Sequence, residues 1–369
     1  MNNIPNVYVG ATRQNDGKTT TVLGLLDAFK EHFPRIGYIK PVGQQITSVD
    51  GDHIDKDATL IEDIFHIGGQ LHDISPITVP RGFTEDFILH GDVTTLKAEI
   101  ADSYDRVSRD KQFMMIDGTG HAGVGSVLDL PNAAVAKLLN APVVMVTCGG
   151  IGRPIDEVML NKAVFDSYGV PVIGVIVNKV IPEKYAKINT YVRLGFERKG
   201  IEVLGVLPFC PLLSSPTIRQ LLENCKGRLL SGEENIDQTV SKIVVGAMPP
   251  HTALNYFKGE VLLITPGNRD DLILAAASVG NHEGYNIKGV ILTGGLQPHK
   301  TVLDILSRSK IPAILAVNDT FSVAERISKL IIKIRAGDRD KIDMIKQLIK
   351  DHIDIEALIK KLRNAKRGA

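Results

Sequence analysis

The segment GKTT at residues 17–20 constrains the fold of this chain more than any other feature. It follows the short apolar run VYVG, which is typical of a buried β-strand. A phosphate-binding loop needs such a strand, backbone N–H groups at a helix start, a lysine for the outer phosphates and a hydroxyl for Mg²⁺. Gly17, Lys18 and Thr19 are residues of the required types, although Thr12 stands where the usual loop has its first glycine. The segment predicts a nucleotide-binding α/β domain.

Short apolar runs rich in β-branched residues recur along the first 210 residues, with amphipathic stretches between them. Runs that are apolar throughout are typical of strands buried on both faces, and therefore of a mostly parallel sheet flanked by helices. The expected helix after the loop covers residues 18–33. The expected strands lie in NVYVG, RIGYIKPV, FMMID, PVVMVT, PVIGVIVNKV and VLGVLPF.

The segment at 210–235 interrupts this rhythm with Pro, Ser and Gly. A second, smaller α/β set follows, with expected strands in EVLLITPG, IKGVILTGG and IPAILAV and expected helices at 269–279 and 301–309.

From about residue 338, Ile, Met and Leu recur at spacings of three and four among charges, which is the pattern of amphipathic helices. We therefore predict a P-loop domain at 1–211, a second α/β domain at 212–337 and a helical C-terminal tail at 338–369. The tail is interpreted as a packing arm, and a partner-binding or dimerising helix is the alternative.

Charge and cysteine content narrow the range of partners. The chain has 43 Lys and Arg against 42 Asp and Glu, so no global field attracts it to nucleic acid or anionic lipid. Its three cysteines form no CxxC pair, which disfavours a disulfide framework or a zinc site. The sequence contains no signal peptide pattern and no apolar run of the ~18 residues that a membrane span needs. These features favour a cytoplasmic protein with small-molecule partners, no nucleic acid and no membrane.

The loop ATRQNDGKTT at residues 11–20 resembles that of dethiobiotin synthetases, which also carry Thr at the first glycine position. Further segments are similar to that family in the same order: YIKPVG, DKDATL, MIDGTGHAG, VNKVIP and LGVLP. The resemblance covers residues 5–210 and implies a P-loop NTPase fold that binds ATP and Mg²⁺. It also implies a homodimer, because related nucleotide domains place part of the site across a two-fold interface.

The resemblance implies roles for individual residues. Lys18 would contact the β- and γ-phosphates, and Lys40 would stabilise the transferring phosphoryl group. The residues implied around the nucleotide are Thr12, Asn15, Asp16, Gly17, Lys18, Thr19 and Thr20. The residues implied at the adenine are Asn178 at its edge, with Pro208 and Phe209 flanking the base. The implied magnesium ligands are Thr19, Asp57 and Asp117.

Several of these assignments have alternatives. Asp52 and Asp55 compete with Asp57 in a segment full of acidic residues. Asp117 stands where the family has Glu, and an Asp-Gly pair is also common in turns. His121 either contacts an anionic substrate or caps a turn.

The second domain has a resemblance of its own. PGNRDDLILAA, followed by GVILTGG, resembles the DRTGG domain, although Asn268 stands where that family has Asp. Such domains follow a dethiobiotin-synthetase-like domain in the N-terminal half of long phosphate acetyltransferases, and the chain resembles that half without the acyltransferase. The glycines of TPGNR and TGG either expose N–H groups to a ligand or form ordinary turns. Arg269 is the residue most worth testing there.

Two function classes follow. One is a nucleotide-dependent regulatory ATPase, in which bound ATP biases the DRTGG domain or a partner enzyme. An unidentified small-molecule ligand is expected as a further partner of the chain. The other is an ATP-dependent ligase that activates a carboxylate or carbamate, as dethiobiotin synthetase does. KPVGQQ and DGTGHAG depart from the substrate segments of that ligase family, which favours the regulatory class. A cobyrinic acid amide synthetase relative is disfavoured, because the second domain's only thiol, Cys225, lies near the domain boundary.

Overall fold

The computed structural model describes residues 4–49, 51–279 and 282–367. These residues divide into two compact units. The first unit comprises the described parts of 1–209 and 334–369, and the second comprises those of 210–333. The division after residue 209 lies close to the predicted boundary at 211, but residues 334–367 join the first unit instead of standing apart as a tail.

The first unit is built on a parallel sheet. Its strands are β1 (Asn6–Ala11), β2 (Ile36–Ile39), β3 (Val42–Gly43), β4 (Ile46–Val49), β5 (Asp52–Asp55), β6 (Ile77–Thr78), β7 (Phe113–Asp117), β8 (Val143–Cys148), β9 (Val172–Val180) and β10 (Val203–Pro208). The main sheet has the order β10-β9-β8-β1-β7-β2, and every neighbouring pair is parallel. Strands β3 and β6 form a small separate sheet, and so do β4 and β5.

Every residue of β1, β2 and β7 is buried, as their continuous apolar character predicts. Because the strands are parallel, their carboxyl ends lie along one edge of the sheet. Open α/β sheets bind their ligands at this edge. The fold class predicted from the sequence, an α/β domain with a mostly parallel sheet flanked by helices, is confirmed.

Helices flank the main sheet and connect its strands. They are α1 (Lys18–Lys30), α2 (Lys56–Phe65), α3 (Leu71–Ile74), α4 (Phe83–His90), α5 (Val93–Ser108), α6 (Asn132–Leu138), α7 (Gly152–Ser167) and α8 (Tyr185–Glu197). Helix α1 begins where the loop pattern predicts. It ends at Lys30, three residues before the predicted end at Phe33. Phe33 precedes Pro34, and a residue before proline is disfavoured in helical backbone.

The second unit has its own sheet, in the order β11-β15-β14-β13-β12. Its elements are α9 (Pro211–Ser214), α10 (Ile218–Cys225), β11 (Arg228–Ser231), β12 (Lys242–Val245), α11 (Pro250–Ala253), β13 (Glu260–Pro266), α12 (Asp270–Val279), β14 (Asn286–Thr293), α13 (Lys300–Arg308), β15 (Ala313–Leu315) and α14 (Thr320–Ser328). Strand β11 pairs antiparallel with β15, and the other pairs are parallel.

Strand β13 is buried on both faces, which explains its continuous apolar run. Val261 and Leu263 pack with residues of α12 and α13, whereas Leu262 and Ile264 pack with residues of α10 and α14. The predicted second α/β domain is therefore present, and α12 and α13 begin within one residue of the predicted helices. Strands β11 and β12 are short and only partly buried, so they carry no continuous apolar signal.

Two C-terminal helices, α15 (Arg339–His352) and α16 (Ile355–Arg367), complete the first unit. Helix α15 packs against α1 so closely that a Cβ added at Gly24 would collide with the side chain of Ile349, which is fully buried. The apolar stripe seen in the sequence is thus a packing face, as the packing-arm interpretation predicts. None of the described helices combines the length and apolar composition that a membrane crossing requires.

Candidate nucleotide-binding site

The loop between β1 and α1 brings a helix start to the carboxyl edge of the first sheet. Gly17 precedes α1 with φ 92° and ψ 26°, a left-handed conformation that favours glycine. Among the described residues, no side chain caps this helix start by a hydrogen bond. The first turn of a helix leaves N–H groups without intrahelical partners, and these groups and the helix dipole favour an anion.

Lys18, the first residue of α1, points into the unit. Its side chain is only 9% exposed and forms an ion pair with Oδ1 of Asp117, the last residue of β7. Burial, followed by the charge of Lys40, lowers the pKa of Lys18, and this outweighs the opposite effect of Asp117. Lys18 is therefore a buried lysine whose contact with Asp117 a phosphate group can replace.

Lys40, which follows β2, lies between two carboxylates. Its Nζ is 3.0 Å from Oδ2 of Asp57, 3.0 Å from Oδ2 of Asp117 and 3.2 Å from the carbonyl oxygen of Gly118. Burial acts to lower the pKa of Lys40, but Asp117, Asp57 and Asp55 outweigh burial and raise this pKa well above its ordinary value. Lys40 therefore stays charged over the whole neutral range.

Tyr38 also holds Asp117 in place. Its hydroxyl donates to Oδ2 of Asp117 over 3.0 Å. Burial, and next the charge of Asp117, raises the pKa of Tyr38 well above its usual value, so the hydroxyl remains a neutral donor. The sequence gives no signal for this residue, because a tyrosine within an apolar strand is ordinary core.

The structure separates the three competing aspartates by what each carboxylate contacts. Asp57 contacts Lys40, as described above. Asp55 is buried, and its carboxylate accepts from the N–H groups of Asp57 at 2.9 Å and Gln45 at 3.1 Å, which caps α2. Burial raises the pKa of Asp55. Asp52 is exposed at the start of β5. The geometry therefore favours Asp57 as the carboxylate of the site.

The oxygen donors near Lys40 suit Mg²⁺. Among the described residues, no cluster of three or more His, Cys, Asp or Glu side chains could hold a metal ion. The carboxylates of Asp57 and Asp117 both contact Lys40, and the hydroxyl of Thr19 belongs to the first turn of α1. Mg²⁺ binds through one or two carboxylates together with waters and substrate phosphates, so this small donor set fits it.

Asp16 shapes the phosphate loop from the inside. Its buried carboxylate accepts from the hydroxyl of Thr12 at 2.6 Å and from the N–H of Arg13 at 2.8 Å. The thiol of Cys148 donates to its other oxygen at 3.1 Å, and burial together with Asp16 raises the pKa of Cys148 to about 12. Thr12 thus supports the loop through Asp16, which gives a physical role to the residue at the first glycine position.

Asn178, within β9, packs directly against the loop. Its Nδ2 donates to the carbonyl oxygen of Asp16 at 3.0 Å, and its Oδ1 accepts from the N–H of Lys179 at 2.8 Å. A Cβ added at Gly17 would collide with this amide. Asn178 therefore holds the loop, a contact that the predicted adenine role did not include.

The other residues predicted at the adenine lie on the neighbouring strand. Pro208 ends β10 and pairs with Val180 of β9, and the N–H of Phe209 donates to the carbonyl oxygen of Val180 at 2.7 Å. Thr19 and Thr20 are half-buried in the first turn of α1, and Asn15 is exposed with φ 67°. Apart from Asp57 in the first turn of α2, the predicted residues thus come from the loop, from α1 and from the ends of β2, β7, β9 and β10, at one edge of the sheet.

The loop after β7 is held by Asn132, a residue that is not part of the site predicted from the sequence. Its Nδ2 donates to the carbonyl oxygens of Thr119 at 2.7 Å and His121 at 2.6 Å, and its Oδ1 accepts from the N–H of Thr119 at 3.0 Å. His121 is exposed, and its Nδ1 accepts from the N–H of Gly123 at 3.3 Å. This contact favours the turn-capping alternative for His121.

The glycines of the second unit use their N–H groups within the fold. The N–H of Gly267 donates to the carbonyl oxygen of Thr293 at 3.1 Å. The N–H groups of Gly294 and Gly295 donate to the carbonyl oxygens of Asn318 at 2.8 Å and Ala316 at 2.9 Å, respectively. The ordinary-turn alternative is therefore the one that the structure supports.

Arg269, beside the first of these glycines, is also engaged within the second unit. Its guanidinium pairs with Asp271 and donates to the carbonyl oxygen of Met248 at 3.1 Å. It therefore braces the chain at the start of α12.

A glycine-led helix start, two buried lysines and two carboxylates at the edge of a parallel sheet define a P-loop ATPase-type domain, here followed by a second α/β domain. The family model of an AAA domain matches residues 5–217, and that of the DRTGG domain matches residues 220–330. The chain belongs to this AAA domain family and carries a DRTGG domain.

Curated relatives match nearly the whole chain. A phosphate acetyltransferase of Synechocystis sp. is 26% identical over 97% of this chain and 52% of its own length. A phosphate acetyltransferase of Nitratidesulfovibrio vulgaris is 25% identical over 98% of this chain and 52% of its own length. One of Pseudomonas aeruginosa is 24% identical over 95% of this chain and 51% of its own length. The chain spans about half the length of these relatives.

Some solved structures are similar to parts of this chain. The MinC:MinD cell division complex of Aquifex aeolicus matches with a TM-score of 0.36 and 12% identity, covering 57% of this chain and 83% of that chain. Apo McdA of Cyanothece matches with a TM-score of 0.37 and 12% identity, covering 57% of this chain and 87% of that chain. The CBS and DRTGG domains of a Clostridium perfringens pyrophosphatase match with a TM-score of 0.26 and 16% identity, covering 36% of this chain and 58% of that chain.

Proposed function

We propose that the chain is a nucleotide-dependent regulatory ATPase that binds ATP with Mg²⁺ at the carboxyl edge of the first sheet. The observation that carries this proposal is the buried cluster in which Lys18 and Lys40 both contact Asp117 beside the start of α1. Two buried ammonium groups and a helix N-terminus supply the positive charge that a polyphosphate needs. The carboxylates of Asp57 and Asp117 supply oxygen donors for the metal.

Each residue of the cluster has a task of its own in this proposal. The N–H groups of the loop and of the first turn of α1 bind phosphate oxygens. Lys18 leaves its ion pair with Asp117 and binds the β- and γ-phosphates instead. Lys40 stays charged and faces the phosphoryl group. Mg²⁺, when bound through Thr19, Asp57 and Asp117, neutralises phosphate charge.

The base is proposed to lie against Asn178, Pro208 and Phe209. The amide of Asn178 already binds the loop through one N–H and accepts one hydrogen bond at its oxygen. A carboxamide has a second N–H and a second lone pair, and these remain for the edge of adenine. Base recognition and loop geometry would then depend on the same side chain.

The regulatory part of the proposal rests on the second domain. The DRTGG match covers residues 220–330, and neither matching family model is that of an acyltransferase. Relatives named phosphate acetyltransferase match across both regions of the chain. If nucleotide in the first domain changes the affinity of the second domain for its ligand, that ligand must change the affinity for nucleotide by the same factor. The corresponding coupling free energy is typically about 1–3 kcal/mol.

Calorimetry on the full chain tests nucleotide binding. We expect saturable binding of MgATP, weaker binding of MgGTP, and a loss of at least roughly tenfold in affinity for Lys18→Ala, the size of one hydrogen bond to a charged group. Lys184→Ala is the matched control, because Lys184 is exposed and is not part of the cluster. Equal affinity for MgGTP would contradict the adenine assignment, and full affinity in Lys18→Ala would contradict the phosphate assignment.

A point variant tests coupling better than truncation. A chain ending at residue 211 would lack α15, which packs on α1, so it would alter the nucleotide domain directly. We expect Arg269→Ala to change ATP affinity or hydrolysis in the full chain. Arg219→Ala is the control, since Arg219 pairs with Asp237 on the surface of the same unit. Unchanged affinity and hydrolysis in Arg269→Ala would count against regulation.

A second candidate function is an ATP-dependent carboxylate or carbamate ligase. The observation that favours it is the buried, charged Lys40 between Asp57 and Asp117, because phosphoryl transfer needs a cation at the transferring group whereas nucleotide sensing alone does not. Small amino acids, carboxylates and diamines can be screened for stimulated ADP release. Strong stimulation by one of them, with Arg269→Ala behaving as wild type, would favour the ligase.

We also propose that the chain forms a homodimer. This rests on the resemblance of its nucleotide domain to proteins that complete their site across a two-fold interface, and on the frequency of symmetric dimers. Light scattering over a range of concentrations tests it. A monomer at every concentration would contradict this part of the proposal.

A further inference from the structure

Lys179 is a third lysine beside the phosphate loop, and it has no role in the site predicted from the sequence. It follows Asn178 in β9, and its Nζ donates to the carbonyl oxygen of Asn15 at 2.5 Å. Its side chain also passes over the loop, because a Cβ added at Gly17 would lie 3.7 Å from its Cε. Lys179 thus joins the end of a central strand to the tip of the loop.

The backbone of Lys179 is held in an unusual conformation. Its φ is 58°, in the left-handed region that L-residues with side chains seldom adopt. Its N–H donates to Oδ1 of Asn178, and a Cβ added at Gly149 would lie 3.0 Å from its carbonyl oxygen. Left-handed conformations of residues other than glycine are costly, and they cluster at ligand sites.

Asn178 and Lys179 bind two consecutive carbonyl groups of the loop. Asn178 binds the carbonyl of Asp16, and Lys179 binds that of Asn15. In a planar trans peptide the C=O and the following N–H point in opposite directions. Holding these two carbonyls toward β9 therefore turns the N–H groups of Asp16 and Gly17 toward the opposite side of the loop. Successive N–H groups that share a direction form an anion-binding concavity.

We propose that Lys179 is a positioning residue of the phosphate loop. Its ammonium fixes the carbonyl of Asn15 and so aims the N–H of Asp16 at the phosphate, as Asn178 does for Gly17. This inference rests on the proposed nucleotide function. Lys179 acts through the loop, so its effect depends on phosphate and is independent of the base.

Binding measurements with and without a base test this dependence. The variants are Lys179→Met, which keeps the length of the side chain without its charge, and Lys179→Arg, which restores a cation. Lys184→Met is the control. We expect Lys179→Met to weaken MgATP and magnesium tripolyphosphate by the same factor, roughly tenfold, as expected for one hydrogen bond to a charged group. Lys179→Arg should recover most of the loss for both probes.

Backbone ¹⁵N NMR relaxation without nucleotide separates positioning from direct contact. The inference predicts larger motion of the N–H groups of Asp16 and Gly17 in Lys179→Met than in wild type or Lys184→Met. Lys179→Gly, which suits the left-handed backbone, should show the same larger motion with no loss of thermal stability. A general loss of fold is thereby distinguished from a loosened loop.

Three results would overturn the inference: affinities in Lys179→Met within about twofold of wild type, a loss confined to MgATP, or unchanged relaxation at Asp16 and Gly17. The first two require that wild type binds the probes. If wild type binds neither probe, the proposed function fails, while the relaxation measurement still decides whether Lys179 orders the loop. The two failures are therefore distinguishable.

Discussion

The ammonium of Lys40 lies 3.0 Å from Oδ2 of Asp117, and both side chains are almost fully buried at the carboxyl edge of the first sheet. This pair connects β2 and β7, which are neighbouring strands. Buried ion pairs add little stability compared with apolar residues of the same size. The pair is therefore better explained by a charged ligand at this edge than by a need for stability.

Replacing Lys40 by Met should destabilise the chain by about 3–5 kcal/mol, because Asp57 and Asp117 lose their shared buried cation. Urea unfolding measures this difference, with Lys184→Met as the control. The pKa of Lys40 is raised in the folded chain, so its stabilisation is complete below the ordinary lysine pKa of 10.5 and is lost as the pH rises through the raised value. The wild-type advantage should thus be constant near neutrality and shrink only in strong alkali. An advantage that disappears between pH 6 and about 9 would contradict this account.

Replacing Gly17 by Ala should destabilise the loop for two separable reasons. The new Cβ collides with Nδ2 of Asn178, and Ala is strained at φ 92°. In a double-mutant cycle with Asn178→Ala, the collision is relieved and only the backbone strain of about 1–2 kcal/mol remains. Thermal unfolding of the four chains measures the coupling. Strictly additive effects would show that Asn178 does not pack against the loop.

The sequence predicts those parts of the site that lie within one local pattern. Lys18 follows a strand and a glycine, Lys40 follows an apolar strand, and Asp117 ends one, so their positions at the sheet edge follow from the order of the chain. The parallel sheet itself is predicted because its strands are apolar on both faces. These are the features that the structure reproduces.

Other features depend on contacts between distant segments, which no local pattern contains. The choice between Asp55 and Asp57 depends on which carboxylate caps α2 and which meets Lys40. The packing of α15 on α1 depends on the close approach of Ile349 to Gly24. The same reason applies to Asn132, whose partners lie 11 and 13 residues away along the chain.

Cys148 should react slowly with alkylating agents at pH 8. Burial and the hydrogen bond to Asp16 raise its pKa to about 12, and the thiolate is the reactive form. The reaction with iodoacetamide can be followed in a chain that carries Cys210→Ser and Cys225→Ser. In the folded chain its rate should still rise with pH beyond pH 10, whereas in urea the rate should reach a plateau above the unperturbed thiol pKa of about 8.5. Asp16→Asn should lower the pKa and speed the reaction. A plateau near pH 9 in the folded chain would contradict the Cys148–Asp16 contact.

Replacing Gly24 by Ala should destabilise the first unit, although Ala favours helices more than Gly does. The Cβ would collide with the buried side chain of Ile349 on α15, and overpacking of this kind costs about 1–3 kcal/mol. In an Ile349→Ala background the same change should cost less, because the collision with Cγ1 of Ile349 is removed while the Cβ of residue 349 and Cγ2 of Ile345 remain close to the new methyl group. Urea unfolding measures both. Stabilisation by Gly24→Ala in the wild-type background would show that α15 does not pack on α1 in solution.

The central claim, that the buried lysine and aspartate cluster is an ATP and magnesium site, is tested most directly by a crystal structure of the full chain with Mg²⁺ and a non-hydrolysable ATP analogue. The account predicts the β- and γ-phosphates on Lys18 and the loop N–H groups, Lys40 at the γ-phosphate, and Mg²⁺ on Thr19 with Asp57 or Asp117, directly or through water. The ion pair between Lys18 and Asp117 should be broken in that structure. A nucleotide bound elsewhere, or one at the loop with the Lys18–Asp117 ion pair intact and no metal near either aspartate, would contradict it.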